Sequence, residues 1–211
     1  MPFSPFRGGV ILISPTATVS PEAVIPSSAK VWDLAQVRER AVLGERVIIG
    51  RGAYVGVGVV IGDESKVQNY ALVYEPAEIG AGVFIGPAVT LTNDRLPRAV
   101  MPDMQQKQPA HWNQVGVRVL EGASIGANAV CVAPVTVGRW AVVAAGSVVV
   151  RDVLDHALVA GNPARQIGWI GRAGVRLTAD STALRRFRCP STGESYEEAS
   201  GGLVLVKGCS R

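Results

Sequence analysis

Val42-Leu-Gly-Glu-Arg-Val-Ile-Ile-Gly-Arg-Gly-Ala-Tyr-Val-Gly-Val-Gly-Val-Val-Ile-Gly62 is one six-residue unit written several times over. Leu43, Ile49, Val55 and Ile61 are large and apolar, six apart, and a Gly follows each. Val47, Ala53 and Val59 stand four residues after the first three, and all are slim. The pattern extends in both directions. From Ile13 to Leu91 every sixth residue is Ile, Val or Leu, and the fourth residue after each is small or slim, as at Ala29, Ala35, Ser65 and Ala71.

Neither common element fits that period. A helix aligns residues three and four apart, and a strand aligns residues two apart. A strict six with one large and one small inward position fits a short strand followed by a corner. Three such sides close a triangular coil of eighteen residues, and coils stack at the strand spacing of roughly 4.8 Å. One coil cannot bury its own apolar face, so stability comes from stacking. The expected fold is therefore all-β, a parallel β-helix, with Gly supplying the backbone conformations of the corners.

At 211 residues the chain suits one domain with an appendage. It is 48% hydrophobic but only 6% aromatic, which fits a core of stacked Val, Ile and Ala. The net charge of +4 is carried mostly by scattered Arg, a pattern that argues against nucleic-acid binding and allows a small phosphate-bearing ligand. The three Cys form no CxxC, and Cys131 falls on a large inward position, so no metal site and no disulfide is expected. Val10–Ile13 is too short for a signal core or a membrane span, and a cytoplasmic protein is expected.

Residues 1–9 read as an irregular lead-in, with a first strand at Val10–Ile13. Trp32 and Asp33 fall at a corner. Val67-Gln-Asn-Tyr70 and Val73-Tyr-Glu-Pro76 replace the Gly-rich corners with large polar groups, which reads as a polar cluster within one turn. The repeat then breaks at Leu91-Thr-Asn-Asp94. Val119, the next clear repeat position, stands twenty-eight residues after Leu91, so the register reads as lost and restarted. Between lies a Pro- and Gln-rich external loop, about residues 93–116, of a length usually reserved for function. The repeat resumes through Val149, and Arg151-Asp-Val153 is expected to end the prism. Gly161-Asn-Pro-Ala164 reads as a turn that leaves it. Residues 1–170 are thus expected as the β-helix domain and 171–211 as a C-terminal extension, with short strands at Val175–Leu177, Leu184–Cys189 and Leu203–Val206 capping the open end.

Lys66-Val-Gln-Asn-Tyr-Ala-Leu-Val-Tyr74, Phe84-Ile-Gly-Pro87, Leu91-Thr-Asn-Asp94 with Pro97-Arg98, and Gly161-Asn-Pro-Ala-Arg-Gln-Ile-Gly-Trp169 carry a further likeness. The chain resembles the left-handed β-helix acyltransferases, and within them the nucleotide-sugar 3-N-acetyltransferases of the UDP-2-acetamido-3-amino-2,3-dideoxyglucuronate type. The resemblance implies a left-handed coil, although ordinary crossovers favour the right hand. It implies a homotrimer with active sites between subunits, acetyl-CoA as cosubstrate and a UDP- or dTDP-linked amino sugar as acceptor, in surface-polysaccharide biosynthesis. It places Asn93 beside the reacting groups and Gln68, Asn69, Glu75 and Arg98 toward the nucleotide-sugar. Ala127 and Ala145, one coil apart, match coenzyme-contacting corners, and Asn162 and Arg165 match the coenzyme's nucleotide end. Relatives often carry His where this chain has Asp33.

The chemistry supports an amine acceptor separately from the resemblance. A hydroxyl must lose a proton to attack a thioester, and enzymes commonly supply a His base for it. This chain has two His. His111 lies in the loop and His156 past the last clear repeat. A free amine is already a nucleophile and needs placement, oxyanion stabilisation and a proton exit. Glu75, Asp94 or water could take that proton. The rival readings are a hydroxyl-directed O-acetyltransferase using His111 and a non-catalytic β-helix scaffold. A β-helix carbonic anhydrase needs three His around one metal, which two cannot supply.

Overall fold

The computed structural model describes residues 12–181 and 183–206. The expected lead-in, Val10, Ile11 and Cys209 lie outside the described residues. Two-residue strands recur at the expected positions, among them Lys30–Val31, Ile48–Ile49, Lys66–Val67 and Phe84–Ile85. They pair in parallel with partners eighteen residues apart, as in Lys30↔Ile48 and Val31↔Ile49. A wall of nine strands begins at Leu12–Ile13, one of seven at Thr18–Val19 and one of five at Val42–Leu43. These first, second and third walls enclose a β-solenoid of about 8 turns. Its axis is filled by Val31, Ile49, Val67, Ile85 and Ile125, none more than 1% exposed, with Ala35, Ala53 and Ala71 in the narrow positions. Each such Val or Ile contributes about 1.5–3 kcal/mol of burial. Among the described residues no helix is long and apolar enough to cross a membrane.

The corners correct the expected role of Gly. The left-handed residue of a corner stands three places after the large apolar one, and it is often not Gly: Leu34 (φ 58°), Arg46 (φ 57°), Glu64 (φ 60°) and Tyr70 (φ 60°) occupy it. The Gly directly after the large residue is needed for a different reason. A Cβ at Gly62 would stand 2.6 Å from the backbone nitrogen of Ala81 and 2.7 Å from the carbonyl carbon of Gly80, in the next coil. At Gly62 the backbone of the next coil leaves no room for it, whereas Trp32, Gln68 and Tyr74 carry side chains at the equivalent place in other coils. Gly62→Ala is therefore expected to destabilise the protein by about 1–3 kcal/mol, as overpacking does. Thermal unfolding measures this, and an unchanged Tm would show that the coils can separate without loss.

The loop does not reset the register. Leu91 pairs with Cys131 and Ile79 with Val119, each forty residues apart instead of eighteen. The difference is one insertion of twenty-two residues at a corner, and Val119 takes the third-wall position that directly follows Leu91. The prism also continues past Arg151–Val153. Val143 pairs with Val159 and Val137 bridges to Val153, sixteen apart, so the last coil is shortened by two residues. Ala164–Trp169 then folds back antiparallel on Ala157–Gly161.

The tail forms a four-stranded antiparallel sheet of Thr178–Ala179, Arg186–Arg188, Ser195–Ala199 and Gly202–Val206. The expected strand at Val175–Leu177 is absent. Leu177 instead joins Cys189, Tyr196 and Leu203 in a small separate core. Ser195–Ala199 had no apolar signature because its Glu residues face solvent and only Tyr196 turns inward. The sheet meets the last coil through the Asp155–Gly202 bridge and the His156 ring, whose centroid lies 4.9 Å from that of Tyr196. His156 is buried, its Nδ1 lies 2.9 Å from the Ile170 carbonyl oxygen, and burial holds its pKa below the usual value.

Candidate functional site

The stretch from Val67 to Pro76 lies within one coil and spans two of its corners. Gln68 and Asn69 lie between the first and second walls, and Glu75 lies between the second and third. Because Val67, Ile85, Ile125 and Val143 are in register, Asn69, Pro87, Ala127 and Ala145 stack along the first corner. Because Val73 pairs with Leu91, Glu75 and Asn93 occupy the same place on the second corner in consecutive coils. Asn162 and Arg165 are exposed in and beside the hairpin turn at the prism's end. Within one chain these residues form two groups on different edges.

The second corner holds the more unusual chemistry. Among the described residues Glu75 and Asn93 each bury a polar atom without a partner, Oε2 of the carboxylate and Nδ2 of the amide. An unpaired buried polar group costs about 1–3 kcal/mol, and each needs an explanation. The Glu75 carboxylate lies over Gly56, where any Cβ would overlap it. Tyr54 and Tyr74 flank it with ring centroids 5.2 Å apart. Burial first, and then the Glu75 charge, push the Tyr54 phenol above its ordinary pKa.

Asn93 is 9% exposed and fixed on both sides. Thr92 Oγ1 accepts the Ala133 N–H at 2.9 Å, and the Asn93 carbonyl accepts the Val115 N–H at 3.2 Å, where the loop returns. Asp94 is engaged at both oxygens. Its Oδ1 accepts the Leu96 N–H at 2.8 Å, and its Oδ2 lies 3.6 Å from Lys107 Nζ. A cleft of about 290 Å³ opens here, lined by Tyr74, Thr92, Asn93, Asp94, Pro97 and Val132.

The first corner is more occupied. Asn69 Oδ1 accepts the Arg51 N–H at 3.0 Å, and Tyr70 OH accepts from Arg51 Nε at 3.2 Å. The Ser14 hydroxyl bonded to Asp33, with help from Thr16, holds that carboxyl below its usual pKa. Trp32 is 44% exposed. Above them Ala127 and Ala145 present only methyl groups and backbone. Arg98 is exposed, with one guanidinium N–H on the Pro97 carbonyl at 3.0 Å. His111 is exposed on a short 3-10 turn, and its Nδ1 accepts the Gln108 N–H at 3.2 Å. Cys131 is fully buried, and desolvation pushes its thiol up to about 12.

Sequence reasoning missed Tyr54, Gly56 and Lys107. For Tyr54 and Gly56 the eighteen-residue offset was the available signal, because it pairs Tyr54 with Leu72 and stacks Glu75 under Asn93, whereas Lys107 lies in the loop, outside the period.

The model for the bacterial transferase hexapeptide (six repeats) matches residues 58–93, and that for the hexapeptide repeat of succinyl-transferase matches residues 40–70 and 116–151. The dTDP-3-amino-3,6-dideoxy-alpha-D-galactopyranose 3-N-acetyltransferase of Aneurinibacillus thermoaerophilus is 45% identical over 84 residues, 39% of this chain and 41% of that protein. PerB of Caulobacter crescentus, solved with CoA and GDP-perosamine, superposes with a TM-score of 0.53 and 28% identity over 76% of this chain and 58% of its own. A hexapeptide-repeat acetyltransferase of Vibrio cholerae O1 biovar eltor, solved with acetyl coenzyme A, gives 0.51 and 26% over 62% of this chain and 70% of its own. The chain thus spans about two-fifths of the curated relative's length. Six-residue period, eighteen-residue coil and matching models agree on a left-handed β-helix built from the hexapeptide repeats found in bacterial transferases, over residues 40–93 and 116–151.

Proposed function

We propose that the protein transfers an acetyl group from acetyl-CoA to the amino group of a UDP- or dTDP-linked 3-amino sugar, as a cytoplasmic homotrimer in surface-polysaccharide biosynthesis. The observation that carries this is the pair of unpartnered buried atoms on one corner, an acceptor at Glu75 Oε2 and a donor at Asn93 Nδ2. Acetyl transfer to an amine needs both. The amine nitrogen attacks the thioester carbonyl, and a C–N bond forms while the oxygen gains negative charge. The Asn93 N–H donates to that oxygen, where a placed donor stabilises the transition state. The attacking nitrogen sheds its proton to Glu75, the C–S bond breaks, and the coenzyme leaves as a thiol once protonated.

Asp94 does not suit the proton acceptor's role, because both its oxygens are engaged. His111 does not line the Asn93 cleft. The hydroxyl reading that uses His111 as its base therefore gains no support from the cleft. The trimer reading is supported by the two separated groups of residues. A threefold assembly can set the first corner of one subunit, with Ala127, Ala145, Asn162 and Arg165 along the coenzyme, against the second corner of its neighbour. Gln68 and Asn69 would then border the sugar from the opposite side. The relatives' printed partners, CoA with GDP-perosamine and acetyl coenzyme A, fit this division of roles.

The test is thiol release from acetyl-CoA against a panel of UDP- and dTDP-linked 3-amino sugars, with mass analysis of the products. One amino sugar is expected to gain one acetyl group, and His111→Asn is expected to act like the wild type. Transfer only to hydroxyl acceptors, abolished in His111→Asn, would overturn the amine reading. Failure to bind acetyl-CoA would leave a scaffold.

A further inference from the structure

The inserted loop folds on itself. Asp94 bridges to Gln114 at its base, and Val100 bridges to Gln106 further out. Met104 N donates to the Met101 carbonyl at 2.9 Å, which closes the tip, and Lys107 N donates to Ala99 at 3.0 Å. Lys107 Nζ lies 3.6 Å from Asp94 Oδ2 and 3.4 Å from the Leu96 carbonyl oxygen, tying the loop's return to its start. Inside is a second cleft, of about 350 Å³, lined by Asp94, Arg98, Gln106, Lys107, Gln108 and Trp112. Asp94 also lines the Asn93 cleft, so the two clefts meet at that residue.

Their chemistry differs. The Asn93 cleft presents an amide, the Tyr74 ring, the Asp94 carboxylate and Arg95. The loop cleft presents a guanidinium with most of its donors uncommitted, the Lys107–Asp94 ion pair, two amides and a Trp that is 37% exposed. A planar fork beside an aromatic face suits phosphate oxygens joined to a ring system. The proposed acceptor has a matching order along its length, an amino sugar, then a diphosphate, then a base.

We propose that the loop cleft receives the nucleoside diphosphate of the acceptor, with Arg98 on the phosphate oxygens and Trp112 against the base. This rests on the nucleotide-sugar reading above and fixes which end of the substrate lies where. It assigns Arg98 to phosphate and not to a carboxylate on the sugar, because Arg98 lines the loop cleft while Arg95 lines the cleft that would hold the sugar.

Calorimetric titration of the full chain with UDP, dTDP and GDP tests it, using wild type, Arg98→Gln and Trp112→Leu. One diphosphate is expected to bind the wild type, and Arg98→Gln is expected to weaken that binding by about 10- to 100-fold, the worth of a charged hydrogen bond. Trp112→Leu is expected to weaken it as well. A diphosphate that binds both variants as tightly as the wild type would overturn the assignment and leave the acetyltransferase reading standing. Acetyl transfer to an amino sugar without any nucleotide binding would also overturn it. Neither binding nor transfer would remove both.

Discussion

Asn93→Ala is expected to lower kcat by about 10²- to 10³-fold, the usual loss on removing one oxyanion donor, without lowering Tm. The two halves of this expectation come from one fact. The Asn93 side-chain nitrogen is buried and bonds to nothing among the described residues, so the fold gains nothing from it. What fixes the segment is the backbone and its neighbours: the Asn93 carbonyl on Val115 N, Thr92 on Ala133 N and Asp94 on Lys107. All of these survive the substitution. Removing an unsatisfied buried amide relieves a penalty of about 1–3 kcal/mol and loses some packing. The measurements are steady-state kinetics on the best acceptor and thermal unfolding. A protein that melts earlier but turns over normally would make Asn93 a structural brace.

The coil was legible because it is a property of side-chain size at a fixed period. Ile49, Val67 and Ile85 could be identified as core from spacing alone, and all are 0% exposed. The insertion after Asn93 was visible as a break, but its meaning was not, because a one-dimensional period cannot show that Ile79 and Val119 are neighbours. The Gly residues were visible and in part misread. Gly52, Gly58, Gly82, Gly122 and Gly146 do hold left-handed corners, whereas the Gly directly after the large residue reports a close approach between coils, as at Gly62 and Ala81, a contact across about eighteen residues. The C-terminal sheet was half legible for a similar reason. Its small core uses one residue from each of several segments, Leu177, Cys189, Tyr196 and Leu203, and a single inward residue leaves no period to read. The site shows both sides of this. Glu75 was legible as part of a polar stretch that replaces the Gly-rich corners, and Asn93 as part of the break in the repeat, with its place beside the reacting groups implied by the resemblance. Their stacking follows from the period once eighteen is added, whereas the unpaired state of both side chains required coordinates.

Glu75→Gln separates a carboxylate that takes the proton from one that only lines the site. The change keeps the shape and one acceptor oxygen, so the substrate's contacts and KM are expected to be nearly unchanged. It removes the basicity, and kcat is expected to fall by about 10²- to 10⁴-fold, the range general-base catalysis contributes. A second readout does not depend on turnover. Burial is the larger reason the Tyr54 phenol titrates above its ordinary range, and the Glu75 charge is the next. Neutralising Glu75 is therefore expected to lower the Tyr54 pKa part of the way back, which ultraviolet titration against Tyr54→Phe would isolate. A shifted Tyr54 with normal kcat would place the carboxylate correctly but give the proton to water, since Asp94 is held by Leu96 and Lys107. An unshifted Tyr54 with reduced kcat would mean that the substitution had moved the corner. Only the loss of rate together with the shift assigns the proton to Glu75, because only then do the charge and the chemistry belong to the same atom.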